Sequence, residues 1–289
     1  MTSFRTDLAE EAARRIETGS LPGLQTDEEF RDGFGFYRVT VSDEVTARKL
    51  DKPVGRYLTF SLKKGYRNEE GGFQKACRLL ADGFAEFLPR EGSALVAGLG
   101  NRFITSDAVG PEVLRHVMAT RHLSDTLPEF FPSIRRVATA APGVLGSTGI
   151  ESASFISGIV KEIRPDILIA VDALAASSAS RLLSTVQITD TGLVPGGGVG
   201  NARAGLTREK LGIPVIALGV PTVIYASSFL RDAPSENEDL LSGYPYGELV
   251  VTPREIDEAL SELSKLVGYA LDLALHPGMT LSDVTSFLS

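Results

Sequence analysis

The sequence predicts an α/β protein with a mostly parallel sheet, helices on both faces of that sheet and an N-terminal β-rich addition. Continuous apolar segments such as ALVAGLG (94–100) and DILIAVDAL (166–174) are typical of parallel strands that are covered on both faces. They alternate with amphipathic helical segments, of which GIESASFISGIVKEI (149–163) is the clearest. Residues 35–42 and 56–62 instead alternate apolar and polar side chains, as antiparallel strands do.

The segment pattern favours a single catalytic domain over residues 1–289. Its parts are an N-terminal helix (1–17), an acidic surface loop (20–33), the β-rich addition (26–70) and the α/β core (94–289). The core includes a helix (111–120), a polar insertion (230–248) and a long C-terminal helix (255–276). The insertion is expected because its composition is polar and punctuated by Pro and Gly.

Composition and charge exclude several functional classes. The net charge is -8 at pH 7 and no dense Lys/Arg stripe occurs, so a direct nucleic-acid partner is not expected. The single cysteine, Cys77, is typical of a reducing compartment and falls in an apolar helical pattern that indicates buried packing. The N-terminus has no signal-peptide pattern, and the longest apolar stretch (212–226) is too short and too Pro-interrupted to span a bilayer. We expect a soluble cytoplasmic protein with no membrane partner.

Two carboxylates follow apolar strands of the predicted core. Asp107 lies in GLGNRFITSDAVGP (98–111), and Asp172 ends the strand DILIAVD (166–172). Because the carboxyl ends of neighbouring parallel strands meet at one edge of a sheet, the two side chains are expected to approach each other. In such a pair the charged carboxyl takes a proton from water, and the protonated carboxyl polarises a peptide carbonyl. The alternative is structural: Asp107 caps the following helix, and Asp172 orients a glycine-rich loop.

Other site patterns are weak. GLGN (98–101) is not a complete dinucleotide fingerprint, and GLVPGGGVGN (192–201) lacks the ending of a P-loop, although its backbone amides could hold an anion. His116, His122 and His276 have no zinc-ligand spacing, and no serine stands in a nucleophile elbow. We therefore expect no metal and no cofactor.

Ten short segments carry a recognisable pattern along nearly the whole chain. They are RTDLAEEA (5–12), GLGN (98–101), TSDAVGP (105–111), TRHL (120–123), APGVLGSTGIES (141–152), DILIAVDALAA (166–176), QITDTGLVPGGGVGN (187–201), LGIPVIALGVPT (211–222), VVTPREID (250–257) and LALHP (273–277). In their order and joint presence they resemble the germination protease family of spore-forming bacteria.

The resemblance implies an atypical aspartic endopeptidase with a fold related to hydrogenase maturation peptidases and similar to phosphorylases. The family's proposed catalytic aspartates occupy the TxDAxGP loop and the strand end before ALAA, which correspond to Asp107 and Asp172. The family begins the degradation of small acid-soluble spore proteins in germination. It is made in the forespore as a zymogen and forms homotetramers. We consider Asn101, Gly197 and Gly198 as candidates for binding the substrate or stabilising an oxyanion.

The resemblance also suggests an autoprocessing region, with residues 1–17 as a pro-segment. The region consists of Asp7, Leu8, Ala9, Glu10 and Glu11. It resembles the acidic-flanked, Leu/Phe-Ala-containing motif that the family cuts. An ordinary helix N-terminus with acids against its dipole explains the same residues. The segment before this region is shorter than the family leads us to expect, so zymogen control is expected to be reduced or absent.

Two positions depart from the family pattern. Ser177 stands where an Arg is expected, and Tyr225 stands where an acidic residue is expected. Either change could alter substrate binding, so one alternative is a catalytically decayed binding homologue. Two further alternatives are a metal-dependent maturation peptidase of the same fold, with the aspartates as ligands, and a purine-phosphorylase-like enzyme. The last of these lacks a basic phosphate clamp.

Overall fold

A computed structural model describes residues 5–16, 21–126, 134–193, 205–226 and 249–289. The strands are β1 (Leu24–Arg31), β2 (Phe34–Val41), β3 (Gly55–Ser61), β4 (Ala94–Gly98), β5 (Val137–Ala140), β6 (Ile167–Ala176), β7 (Thr185–Thr189), β8 (Val215–Tyr225) and β9 (Val250–Val251). The helices are α1 (Ala9–Arg14), α2 (Glu44–Leu50), α3 (Gly72–Ala85), α4 (Val109–Leu114), α5 (Arg121–Thr126), α6 (Leu145–Thr148), α7 (Ser152–Ile163), α8 (Arg208–Leu211), α9 (Ile256–Leu275) and α10 (Leu281–Leu288). The insertion predicted at 230–248 lies outside the described residues.

The nine strands of the described residues belong to one sheet, in the order β1-β2-β3-β7-β8-β6-β4-β5, with β9 paired to the far end of β8. Strands β5, β4, β6 and β8 are parallel to their neighbours in this group. The other strand pairs are antiparallel. The α/β class is therefore confirmed: the parallel strands form the core, and the N-terminal strands join the same sheet where β3 pairs with β7.

Side chains of the central strands alternate between the two faces of the sheet, as a pleated strand requires. Val96 and Ile169 lie in the larger apolar core, which includes residues of α3, α4 and α9. Leu95 and Leu168 pack on the other face against Ile156 of α7. Burial on both faces explains why these strands are continuously apolar in sequence. The prediction of helices on both faces is confirmed.

The acidic segment predicted as a surface loop (20–33) instead contains β1. This strand pairs with β2 along its whole length. Asp32 and Gly33 make the turn with φ of 54° and 86°, the left-handed backbone that two-residue hairpin turns use and that Asp-Gly favours. Most side chains of β1 are exposed because it is an edge strand, where charges are well tolerated. It therefore lacks the apolar alternation by which a half-buried strand is recognised.

The helix predicted from Pro111 to Thr120 is shorter, because α4 ends at Leu114. Met118 N–H donates to both carboxylate oxygens of Asp272, at 3.1 and 3.2 Å, instead of continuing the helix. Asp272 lies on α9, where burial raises the pKa of its carboxyl well above the usual value. This tertiary contact holds the chain just after the end of α4. The long C-terminal helix predicted from the apolar stripe is confirmed as α9.

Candidate active site

A loop that begins where β4 ends carries Asp107. Leu99 N–H donates to Val171 O at 2.8 Å and prolongs the ladder between β4 and β6. Gly100 then turns the chain with φ of 106°, and a Cβ at this position would lie 2.0 Å from the Asp107 carbonyl oxygen. Only glycine permits this close approach. The loop returns as a short 3-10 helix (Thr105–Asp107), which brings Asp107 back to the end of β4.

Asn101 holds the Asp107 carboxylate and the loop at the same time. Its N–H donates to Asp107 Oδ2 at 2.8 Å. Its side-chain Oδ1 accepts from Phe103 N–H at 3.0 Å, and its carbonyl oxygen accepts from Ile104 N–H at 3.0 Å. Asn101 therefore positions Asp107, whereas its assignment to substrate binding stays a prediction.

Two threonines attach the Asp107 loop to neighbouring elements. Thr105 Oγ1 donates to Asp257 Oδ1 of α9 at 2.8 Å. Thr222, a fully buried residue of β8, donates through Oγ1 to Ser106 O at 2.6 Å. The loop is thereby fixed to β8 and α9 as well as to β4. These contacts join residues far apart in the chain, and no sequence motif indicated them.

Asp172 lies inside β6 and does not end it, contrary to the sequence prediction. The last pair between β4 and β6 is Gly98 with Val171. Strand β6 continues beside β8 as far as the pair Ala176 with Ile224. Asp172 is therefore the first residue of β6 that β4 no longer covers. The prediction was wrong because β6 is longer than β4, so the open edge begins partway along the strand.

The Asp172 side chain is half-buried, and its loss of solvation raises the pKa of the carboxyl from the usual 3.8 to about 7. The negative charge of Asp107 is the next cause of the increase, and the charge of Asp7 adds a smaller one. The Ala173 N–H donates to Asp172 Oδ1 at 2.9 Å and partly opposes the increase. Two carboxyl groups thus lie within electrostatic reach of each other, and Asp172 retains a proton up to neutral pH.

Asp7 is a third carboxylate at this edge of the sheet. Its N–H donates to Ala175 O at 2.8 Å, and its Oδ2 accepts from Ala175 N–H at 2.7 Å. Gln187 of β7 donates to Asp7 O at 3.1 Å and accepts from Ala9 N–H at 2.7 Å. Burial raises the pKa of the Asp7 carboxyl. The chain before α1 is therefore tied to β6 just beyond Asp172.

The acidic residues of α1 are buried against the β6 region. Glu10 accepts from Arg181 Nη2 at 2.6 Å. Glu11 accepts from the N–H groups of Ser177 and Ser178 at 2.7 and 2.9 Å. An interpretation based on the helix dipole alone missed these contacts, because their partners are remote in sequence. The predicted autoprocessing region is therefore packed against the protein.

The two departures from the family pattern both contact this N-terminal segment. Ser177 donates its N–H to Glu11 Oε2 at 2.7 Å. The guanidinium of Arg5 lies 5.6 Å from the centroid of the Tyr225 ring. Their expected effect on substrate binding stays a prediction.

The remaining residues that the sequence suggested lie away from Asp107 and Asp172 or outside the described residues. Gly197 and Gly198 fall outside the described residues. In the described ranges, no group of three or more His, Cys, Asp and Glu side chains could hold a metal ion, and no helix there is long and apolar enough to cross a membrane. Cys77 is buried as predicted, and burial raises the pKa of its thiol to about 12, so it is not a poised nucleophile.

Comparison with known proteins places this chain in one family. The family model described as Germination protease matches residues 5–235. A germination protease of Clostridium perfringens (strain 13 / Type A) is 37% identical, and the match covers 100% of both chains. A germination protease of Caldanaerobacter subterraneus subsp. tengcongensis is 37% identical over 99% of this chain and 98% of its own. A germination protease of Bacillus cereus (strain AH187) is 35% identical over 95% of this chain and 94% of its own.

A solved structure with a partial likeness is the NiFe hydrogenase maturation protease HycI from Thermococcus kodakarensis KOD1. It is 17% identical and covers 65% of this chain and 97% of its own, with a TM-score of 0.37.

Proposed function

This chain belongs to the germination protease family, and we propose that it cleaves peptide bonds with water activated by Asp107 and Asp172. Because it belongs to this family, the chain is a protease of spore germination. The aspartic mechanism is carried by one observation: the pKa of Asp172 is raised to about 7, in part by the charge of Asp107. Two nearby carboxyl groups of which one keeps its proton provide a base and an acid together.

In the proposed reaction the ionised Asp107 takes a proton from a water molecule, and the water oxygen attacks the carbonyl carbon of the scissile bond. Asp172 gives its proton to the carbonyl oxygen, which yields a neutral tetrahedral diol. The proton now on Asp107 then passes to the leaving nitrogen as the C–N bond breaks. Asp172 takes back the proton of the diol hydroxyl as the new carboxyl group forms, so both side chains return to their starting states.

Asn101 supports these steps by holding the Asp107 carboxylate through its N–H. We propose that Asn101 also contacts the substrate, and that Gly197 and Gly198 supply backbone donors to the oxygen that becomes negatively charged. Because Asp107 and Asp172 supply the base and the acid, the reaction as written needs no cofactor.

We propose small acid-soluble spore proteins as the substrates, and the cytoplasm of the forespore and spore core as the place of action. The resemblance of ten segments to the germination protease family supports both. The net charge of -8 supports a protein substrate rather than direct contact with nucleic acid. The same resemblance supports a homotetramer.

We also propose that the region from Asp7 to Glu11 is an autoprocessing site. The backbone of Asp7 already pairs with Ala175 just beyond Asp172. Leu8 and Ala9 are buried, so a cut in this region requires the segment to leave its contacts first. Incubation of the wild type and of Asp172→Asn, followed by intact-mass measurement, tests this proposal. A shortened chain should accumulate only in the wild type, and equal shortening of both proteins would refute self-cleavage by the pair.

The experiment that tests the main proposal is a digest of a purified small acid-soluble spore protein, read by mass spectrometry. It compares the wild type with Asp107→Asn, with Asp172→Asn, and with Asp82→Asn as a control on the exposed face of α3. The two active-site variants should cut at least about 100-fold more slowly, whereas the control should be unchanged. A chelator should have no effect.

Each contrary result has a distinct meaning. A cut that persists in Asp172→Asn refutes the aspartate pair. Activity that a chelator removes and a divalent metal restores indicates a metal-dependent peptidase. Substrate binding without any cut by the wild type indicates a catalytically decayed homologue.

A further inference from the structure

The loop that carries Asp107 exposes two adjacent apolar side chains. Phe103 is 82% exposed, the largest fraction among the large apolar residues of the described chain, and Ile104 is 53% exposed. Single exposed apolar residues are common on protein surfaces. Two neighbours of this kind on a loop with a proposed catalytic carboxylate indicate a contact with the substrate.

Hydrogen bonds hold these two residues in place. Phe103 N–H donates to Asn101 Oδ1 at 3.0 Å. Ile104 N–H donates to Asn101 O at 3.0 Å, and Ile104 O accepts from Asp107 N–H at 2.8 Å. The guanidinium of Arg102 lies 5.4 Å from the centroid of the Phe103 ring. Both residues are therefore held in register with Asp107, and a ligand can bind them without first ordering the loop.

A second exposed apolar segment is attached at the same point of the sheet. Residues 249–251 expose Leu and two Val side chains, and β9 pairs with the end of β8. Thr252 Oγ1 donates to Thr222 O at 2.8 Å, while Thr222 Oγ1 donates to Ser106 O at 2.6 Å. One residue of β8 thus joins the Asp107 loop to the segment that contains β9.

We propose that Phe103 and Ile104 form an apolar subsite that binds a large apolar side chain of the substrate, next to the bond that is cut. The proposal rests on the proposed peptidase function and adds the residues that select the substrate. A polypeptide whose carbonyl group reaches Asp107 and Asp172 places its neighbouring side chains against this loop. A large apolar side chain there removes apolar surface from water on both partners, whereas a small or charged one does not.

This subsite also requires that the substrate segment is unfolded or extended. Large apolar side chains are mostly buried in folded proteins. The subsite therefore selects unfolded or extended segments, in which such a side chain is accessible beside a flexible peptide bond.

The test measures kcat/KM for two quenched fluorescent peptides that differ only beside the cleaved bond, with Leu in one and Ala in the other. Phe103→Ser should lower kcat/KM for the Leu peptide by about 10- to 100-fold and for the Ala peptide by less than about 3-fold. Phe103→Leu should restore most of the preference for Leu. The control is Phe30→Ser, because Phe30 is 68% exposed on β1, at the far edge of the sheet. It should change neither rate.

Two kinetic results overturn the proposal. Equal losses for both peptides would show that Phe103 supports the Asp107 loop and does not select the substrate. No loss for either peptide would show that Phe103 stays in solvent during the reaction. Melting curves and circular dichroism of each variant check that the fold is intact, which is expected because the side chain is exposed.

A binding measurement separates this proposal from the catalytic one. Fluorescence anisotropy of labelled, uncut peptides with Asp172→Asn should show tighter binding of the Leu peptide, and the added Phe103→Ser change should remove the difference. Equal affinities for the two peptides would overturn the subsite even if the wild type is an active protease. Persistent cleavage by Asp172→Asn would refute the aspartate pair but leave the comparison at Phe103 valid.

Discussion

Replacement of Asp172 by Asn should stabilise the fold, and the gain should grow as pH rises. Asp172 has a pKa of about 7 in the folded protein, against 3.8 for an ordinary aspartate. As pH rises through this window, the unfolded chain releases the proton while the folded protein still holds it. The unfolded state is therefore favoured increasingly between about pH 4 and pH 7, and by a constant amount above that. An Asn side chain carries no such proton and removes the effect.

The size of the effect follows from the two pKa values. A difference from 3.8 to about 7 corresponds to about 4 kcal/mol of unfavourable free energy at pH 8, but to only about 2 kcal/mol at pH 5. An amide does not reproduce every contact of a protonated carboxyl. The lost contacts lower the stability gain of Asp172→Asn by about 1 to 2 kcal/mol at both pH values. The stability gain of Asp172→Asn should therefore be about 2–3 kcal/mol larger at pH 8 than at pH 5.

Guanidinium chloride unfolding followed by far-UV circular dichroism measures this difference, since the chain has no tryptophan. Protein concentration must be the same throughout, because an oligomer would link stability to concentration. Asp82→Asn, on the exposed face of α3, is the control and should show no dependence on pH beyond that of the wild type. A gain that is the same at pH 5 and pH 8 would show that Asp172 ionises as an ordinary carboxyl, and the assignment of Asp172 as the acid would fail.

Three further predictions follow from the same geometry. Peptide hydrolysis should fall about tenfold per pH unit above about pH 7, because ionisation of Asp172 removes the acid; a rate profile that is flat to pH 9 would contradict this. Leu8→Ala should lower the free energy of unfolding by about 2–4 kcal/mol, because Leu8 is fully buried with Ala176 and Ile224. Denaturant titration checks this value, and a loss below about 1 kcal/mol would mean that the segment does not pack as described. Gly100→Ala should reduce hydrolysis at least about 100-fold and lower the melting temperature, because a Cβ there meets the Asp107 carbonyl oxygen; normal activity would refute the need for glycine.

The core of the fold could be predicted because local patterns of apolar residues indicate its strands and helices. Strands β4 and β6 are continuously apolar since both faces are buried, and α7 and α9 carry apolar stripes. The positions of Asp107 and Asp172 near strand ends predicted a pair, and the structure places the charge of Asp107 close enough to raise the pKa of Asp172.

Edge strand β1 could not be recognised in this way. Most of its side chains are exposed, whereas an apolar pattern in the sequence indicates only strands with a buried face. The chain just after α4 is held by Asp272, which lies on another helix. The sequence predicted that Asp172 ends its strand. In the structure β6 continues beyond the last residue of β4 because it pairs with β8, and a local pattern does not show this pairing.

From the sequence alone we could predict an α/β protein with two aspartates near the ends of its parallel strands, because apolar periodicity and the alternation of strands and helices are local properties. The contact of Asp7 with β6 and the hydrogen bonds from Ser177 and Ser178 to Glu11 depend instead on the folded arrangement of the whole chain. Local patterns contain no information about such contacts, since each joins an N-terminal residue to a strand far along the chain. The proposed chemistry depends on the proton affinity of Asp172, which rises because Asp172 itself is desolvated and because the charges of Asp107 and, to a smaller extent, Asp7 lie nearby.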